Sequence, residues 1–193
     1  IRLYLASEIT PIWEATEAIL AREEVPPPFW AFAWPGGQAL ARYILDHPEI
    51  VRGRTVLDFA GGCGLIAIAA AKSGAKSVTC ADIDPFALAA TRLNAELNKV
   101  TVAFEESDLV GKENRGWDVV LSGDICYEKP LAERVTTWLR TLAGGGAVVM
   151  IGDPGRDYLP KEGLVEVTRY TVPTSLELED RLTREAIIWR ILP

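Results

Sequence analysis

The chain has 193 residues, 49% hydrophobic and 24% charged, which suits one soluble domain with a full core. Acidic residues outnumber basic ones 27 to 20, and the net charge of −7 argues against general nucleic-acid affinity and for a basic partner. One histidine, His47, and three cysteines without C-x-x-C spacing (Cys63, Cys80, Cys126) leave no zinc site, Ser-His-Asp triad or disulfide framework to assemble. That cysteine usage fits a reducing cytoplasm or organelle interior.

The longest apolar-rich run, Leu65 to Ala71, is too short to span a bilayer. No signal peptide is legible, and the start at Ile1 leaves a trimmed leader open. Helical spacing of Ile12, Trp13, Thr16, Ile19 and Leu20 predicts an amphipathic helix over Pro11 to Arg22. Pro26-Pro27-Pro28 then stiffens the chain ahead of an aromatic run, Phe29 to Trp34, and a second helix is expected from about Gly37 to Asp46.

From Arg54 the rhythm becomes strand, glycine turn, helix. Thr55 to Phe59 reads as a buried strand, Gly61-Gly62-Cys63-Gly64 as the turn, and Leu65 to Ser73 as a helix closed by Gly74. A strand over Lys76 to Ala81 precedes a helix opened by Pro85 and reaching about Leu97. Three further strands are expected at Val100 to Phe104, Trp117 to Leu121 and Gly146 to Ile151, with a helix over about Lys129 to Thr141 between the last two. Leu164 to Val172 and Glu185 to Leu192 are β-rich, lack a clear helix between them, and suggest an antiparallel pair. The whole predicts a single α/β domain, 1–193: a helical extension over 1–50 and a mostly parallel sheet, covered by helices on both faces, over 51–193.

The strongest chemical signal is the segment Val56 to Gly64. Small residues at the end of a first strand let backbone approach a ligand, and the following helix offers free N–H groups. A dinucleotide fingerprint would require G-x-G-x-x-G, and from Gly62 the final glycine falls on Leu65, so that match fails. Asp58 stands just ahead of the small residues Ala60, Gly62 and Gly64. Asp82 ends the second strand about twenty residues on, placed to accept from both ribose hydroxyls. Ser107-Asp108 ends the third strand, placed to meet an adenine amino group. Each acid has a plainer reading as a solvated strand end.

On four segments the chain resembles the class I (seven-β-strand) S-adenosylmethionine-dependent methyltransferases, and most the electron-transfer-flavoprotein β-subunit lysine methyltransferase family. They are Trp30 to Leu40, the glycine turn, Ala81-Asp82-Ile83-Asp84-Pro85 and Gly123-Asp124-Ile125-Cys126-Tyr127. The resemblance implies a Rossmann-like sheet of order 3-2-1-4-5-7-6 with the last strand antiparallel. It also implies S-adenosyl-L-methionine held by Asp58, Ala60, Gly62 and Gly64 at the turn, by Asp82, Ile83 and Asp108 along the strand ends, and by Gly123 and a Trp34 lid. Ala60 departs from the class, which usually has glycine there. Trp30 and Trp34 also read as staples between the N-terminal helices and the sheet.

The D-x-x-Y form of Asp124 to Tyr127 is typical of the lysine-modifying branch. Relatives acting on adenine or glutamine commonly carry N-P-P-Y, whose oxygens hold a neutral planar NH₂; the anionic Asp124 better suits an amine arriving as a cation. The expected catalytic pair is therefore Asp124, orienting the amine, and Tyr127, shaping the channel. The implied partner is a protein lysine side chain, on electron-transfer flavoprotein β subunit or on a ribosomal protein in bacteria; no metal, nucleic acid or membrane is implied. Three alternatives stay open: an N-methyltransferase of a small nicotinamide-like compound, a non-catalytic cofactor-binding partner subunit, and a nucleotide-dependent dehydrogenase. The plain alternative for Asp124 is a strand-end residue capping the next helix.

Overall fold

Alternation of apolar side chains sorts the strands into two faces and decides which helices cover each. The computed structural model of the chain describes residues 1–6 and 27–193. The expected helix over Pro11 to Arg22 lies outside the described residues, as does Pro26. Seven strands form one sheet: β1 (Thr55–Phe59), β2 (Ser77–Ala81), β3 (Ala103–Glu105), β4 (Val119–Gly123), β5 (Val148–Asp153), β6 (Leu164–Pro173) and β7 (Thr183–Ile191). Their order is β3-β2-β1-β4-β5-β7-β6, and β7 runs antiparallel to both neighbours. This is the expected topology.

Val56, Val119, Leu121 and Met150 point to one face, where they pack with Leu40 and Ile44 of α1 (Pro35–Asp46), Ile66 and Ala69 of α2 (Leu65–Lys72) and Leu88 and Ala95 of α3 (Pro85–Asn98). Leu57, Phe59, Val120, Val149 and Ile151 point to the other, against Val135, Trp138, Leu139 and Leu142 of α4 (Lys129–Gly144). A period of two on strands buried on both sides is what a helix-covered parallel sheet requires. Among the described residues, no helix is long and apolar enough to cross a membrane.

Chain-terminal chemistry sets the helix ends. After α2, Gly74 adopts φ +87°, its N–H donates to Ala71 O and that of Ala75 to Ala70 O, a Schellman closure that glycine allows without a Cβ penalty. At the start of α3, Asp84 accepts from Phe86 N at 2.8 Å and Pro85 fills the first helical position.

Several boundaries differ from expectation. β3 is shorter and starts at Ala103. β4 starts at Val119 because Asn114 accepts from the Gly116 and Trp117 amides and turns that stretch of backbone. A four-residue helix, α5 (Leu176–Glu179), sits between β6 and β7 where no helix was expected; Ser175 caps it by accepting from Leu178 N. The second helix begins two residues earlier than expected, at Pro35, and that shift matters for the site.

Candidate active site

The glycine turn closes β1 at the carboxyl edge of the sheet, and four side chains, from β1, the end of β2 and α3, hold it. Asp58 is fully buried beneath it and accepts from Ala67 N in the first turn of α2 at 2.9 Å. Asp82, at the end of β2, accepts from Gly62 N with one oxygen and from Asp84 N with the other, both at 3.0 Å. Thr91 of α3 donates to Gly62 O at 2.9 Å, and Asn94 donates to Cys63 O at 2.9 Å. Ala60, Gly62 and Gly64 all have φ between +54° and +78°. For Ala60 that region is sterically costly, so the turn stores strain where the class usually has glycine. A Cβ on Gly64 would press into Thr91, at 2.5 Å from its methyl carbon, whereas one on Gly62 would meet only Trp30 Cα, at 3.8 Å. The turn is therefore closed toward α3 and open toward the edge.

Burial governs the charge at these acids. Desolvation pushes the Asp58 carboxyl up to about 7, only partly offset by the Ala67 amide, with Asp82 raising it further; its second oxygen has no hydrogen-bond partner. Desolvation also raises Asp82, against the amides of Asp84 and Gly62. Asp82 remains partly accessible, and beyond the Gly62 and Asp84 amides, with the Ile83 amide also favouring its ionised form, it keeps acceptor capacity at the edge. Beside it Ile83 is 74% exposed. Asp108 is exposed beyond β3, where it accepts from Val110 N and pairs with Arg134 at 3.3 Å.

The aromatic run lies across the same edge. Phe29 packs on Tyr127 with ring centres 5.3 Å apart and meets Trp34 at 6.0 Å, while Trp30 stacks on Phe86 of α3 at 6.3 Å. Trp34 donates its indole N–H to Phe29 O, which leaves its ring for other contacts. The segment both staples α1 to the sheet and reaches the D-x-x-Y motif.

Gly36 and Gly37 make that docking possible. A Cβ on Gly36 would overlap the Gly152 carbonyl oxygen of β5, and one on Gly123 would lie 2.7 Å from Gly37 N. The first turn of α1 thus touches the ends of β4 and β5 backbone to backbone, and Gly37 N donates to Asp124 at 3.0 Å. Asp124 caps α1 from another strand and faces the positive end of its dipole. It does not cap α4, whose N-cap Glu128 makes no side-chain cap bond.

Asp124 has φ +51°, a conformation aspartate tolerates better than most residues, and is 8% exposed. Its Oδ1 accepts from both Nε (3.2 Å) and Nη2 (2.8 Å) of Arg156 in the β5–β6 connection. The same guanidinium reaches Glu179 of α5 at 2.6 Å and lies 5.6 Å from the Trp34 ring centre; Glu179 also pairs with Arg184 of β7 at 3.5 Å. Burial drives the Asp124 carboxyl up to about 6, Arg156 pulls it down, and neighbouring Asp153 pushes it up again. Cys126 is buried, with its thiol pushed up to about 12, so it stays an inert packing group.

The structure gathers Trp34, the glycine turn, Asp82, Ile83, Gly123, Asp124 and Tyr127 along one edge. Thr91, Asn94, Arg156 and Glu179 were not anticipated. Thr91 and Asn94 read as ordinary polar positions of an amphipathic helix; Arg156 stood in the visible turn sequence Asp153-Pro154-Gly155-Arg156, directly after a strand ending at this edge. An open glycine turn, free acceptors on Asp82 and an exposed apolar side chain beside them fit an adenosine-bearing cofactor.

Comparison with known proteins agrees. Residues 39–152 match the ribosomal protein L11 methyltransferase (PrmA) family. The chain is 43% identical over 171 residues to the electron transfer flavoprotein beta subunit lysine methyltransferase of Danio rerio, covering 86% of this chain and 66% of that protein. The Xenopus laevis protein of that name is 40% identical over 172 residues, covering 86% and 70%. The chain thus spans about two thirds of the length of these relatives. Magnesium protoporphyrin IX methyltransferase from Synechocystis with bound S-adenosylmethionine shares the fold, with a TM-score of 0.58 at 20% identity over 80% of this chain and 76% of that one. The chain belongs to the class I S-adenosylmethionine-dependent methyltransferases, in the L11 methyltransferase (PrmA) family and its electron transfer flavoprotein beta subunit lysine methyltransferase branch.

Proposed function

We propose that this chain methylates the ε-amine of a lysine on a protein, with the electron transfer flavoprotein β subunit as substrate. The observation that carries the reading is the charge balance around Asp124. Asp124, Asp153 and Glu179 are three carboxylates facing two guanidiniums, Arg156 and Arg184. With all five ionised, one negative charge is uncompensated, and an incoming lysine ammonium neutralises it. A neutral amide or ring nitrogen could donate a hydrogen bond there but would leave the charge uncompensated. The overall charge of −7 favours a basic protein surface in the same way.

Asp82 receives the ribose hydroxyls on its free acceptor positions, Ala60, Gly62 and Gly64 present turn backbone, and Asp58 supports the turn from below. Ile83 and Asp108 flank the adenine, and Gly123 and Trp34 border the methionine moiety. The 1–50 extension carries the aromatic cover and 51–193 the core. Bound S-adenosylmethionine supplies an electrophilic methyl on a sulfonium. The lysine amine, with a reference pKa of about 10.4, must first lose a proton. Asp124 orients it by accepting one N–H, and the Phe29–Tyr127 pair walls the channel and strips water, which favours the neutral amine. The proton leaves to water, and alignment of nitrogen, methyl and sulfur supplies most of the rate. A reducing cytoplasm, or the mitochondrial matrix in a eukaryote, suits three free, buried cysteines.

The test incubates the protein with methyl-labelled S-adenosylmethionine and, separately, purified electron transfer flavoprotein β subunit, ribosomal protein L11 and nicotinamide. Label on a lysine of the flavoprotein subunit is expected. Label on nicotinamide alone, or on neither protein, overturns the proposal.

A further inference from the structure

Counting lone pairs at Asp124 leads past the D-x-x-Y motif. Each carboxylate oxygen accepts two hydrogen bonds. Oδ1 spends both on Arg156, and Oδ2 spends one on Gly37 N. One acceptor position is left on the whole group, and its direction is dictated by the donors occupying the other three. Arg156 is itself held by Glu179 and lies beside the Trp34 ring, so its fork has little freedom to swing.

We propose that Arg156 is a positioning residue for methyl transfer, acting through Asp124 by aiming its single free acceptor at the substrate amine. The proposal rests on the reading of Asp124 as the amine-orienting group. Arg156 itself does not touch the reacting atoms; it makes one carboxylate, on a loop with φ +51°, present one fixed acceptor. It also sets the charge. The groups facing Asp124 are Arg156, the Gly37 amide at the α1 dipole end, Asp153 at the end of β5 and the Cys126 thiol; Glu179 and Arg184 act from behind Arg156. Among these side chains Arg156 is the only direct cationic partner of Asp124, opposing both desolvation and Asp153. Removing it raises the Asp124 carboxyl beyond its already elevated position, so the group stays protonated further into the neutral range.

The test compares the native chain with Arg156→Gln, Arg156→Lys, Asp124→Asn and the Arg156→Gln/Asp124→Asn double variant, using purified electron transfer flavoprotein β subunit. Calorimetric binding of S-adenosylhomocysteine reports folding of the cofactor half independently of turnover. Arg156→Gln should lower kcat roughly 10²-fold, the scale of a misaligned reactant, while leaving S-adenosylhomocysteine affinity within about threefold. Between about pH 6 and the displaced Asp124 titration its log rate should climb by about two per pH unit, because Asp124 and the lysine must both lose a proton, against about one for the native chain, whose Asp124 is already ionised there. Arg156→Lys keeps the charge and loses the fork, so it should restore the single slope without the full rate. The double variant should be no slower than Asp124→Asn alone, because the two residues act as one unit. Additive losses, with Asp124→Asn itself slow, would overturn the role of Arg156 and leave that of Asp124 standing. Full turnover in Asp124→Asn would overturn the underlying reading and the inference with it. Loss of S-adenosylhomocysteine binding in both Arg156 single variants would make Arg156 a structural residue and refute the proposal.

Discussion

Asp82→Ala separates holding the turn from holding the cofactor. In the free protein the carboxylate accepts from the Gly62 and Asp84 amides, yet burial raises its pKa, so folding already works against its ionised form. Bonds to a charged group contribute about 1.5–3 kcal/mol each, but here two of them are offset by desolvation of the same carboxylate. Loss of stability should therefore be about 1 kcal/mol, read as a shift in urea midpoint at unchanged slope. Cofactor binding has no such offset. Two ribose hydroxyls lose an ionised acceptor, and about 3 kcal/mol corresponds to a drop in S-adenosylhomocysteine affinity of about 150-fold by calorimetry. The sign of the residual pH effect follows from the raised pKa. Native stability contributed at this site is fully present below the unfolded carboxylate value and declines as pH rises through the folded one, so Asp82→Ala should cost least at high pH. Affinity within twofold of native would remove Asp82 from the ribose site. A stability loss as large as the affinity loss would make its role structural.

Asp124→Asn keeps shape and one acceptor oxygen, and should leave S-adenosylhomocysteine affinity nearly intact while lowering methylation about 10²-fold; Tyr127→Phe, which keeps the aromatic wall, should lose less. Gly36→Ala drives a methyl into the Gly152 carbonyl and should cost about 3 kcal/mol, whereas Gly37→Ala meets nothing within 4 Å in the same helix and should gain about 0.5–1 kcal/mol, both by denaturant midpoint. Asp58→Asn should flatten the pH dependence of stability. With its carboxyl at about 7, native Asp58 contributes most below the unfolded value near 4 and loses about 1.4 kcal/mol per pH unit up to about 7, a slope absent from the variant. Identical slopes in the two proteins would place the Asp58 titration outside that window.

The sequence by itself determined the fold and the outline of the site because both rest on local chemistry. The apolar stretches Val56-Leu57 and Val148 to Ile151, short and set between glycine-bearing turns and helices, read as strands of a covered sheet, and Gly61 to Gly64 has the small residues that a sharp, positive-φ turn needs. Strand ends carrying Asp82 and Asp124 then fall on the carboxyl edge by topology alone. Only the tertiary structure decided what those side chains do there. Thr91 and Asn94 clamp the glycine turn from α3, and Asp58 holds α2 from below. Arg156 meets Asp124 from 32 residues away, and Glu179, a further 23 residues along, holds Arg156 in turn. No periodicity encodes such contacts, since a polar residue at a loop or helix position looks the same whether water or a buried carboxylate receives it. The WPGG segment shows the division most clearly: its aromatic and glycine content marked a special place, but that Gly36 is needed for close approach to β5, and that Asp124 caps α1 across the sheet edge, follows from packing that only the folded chain brings about.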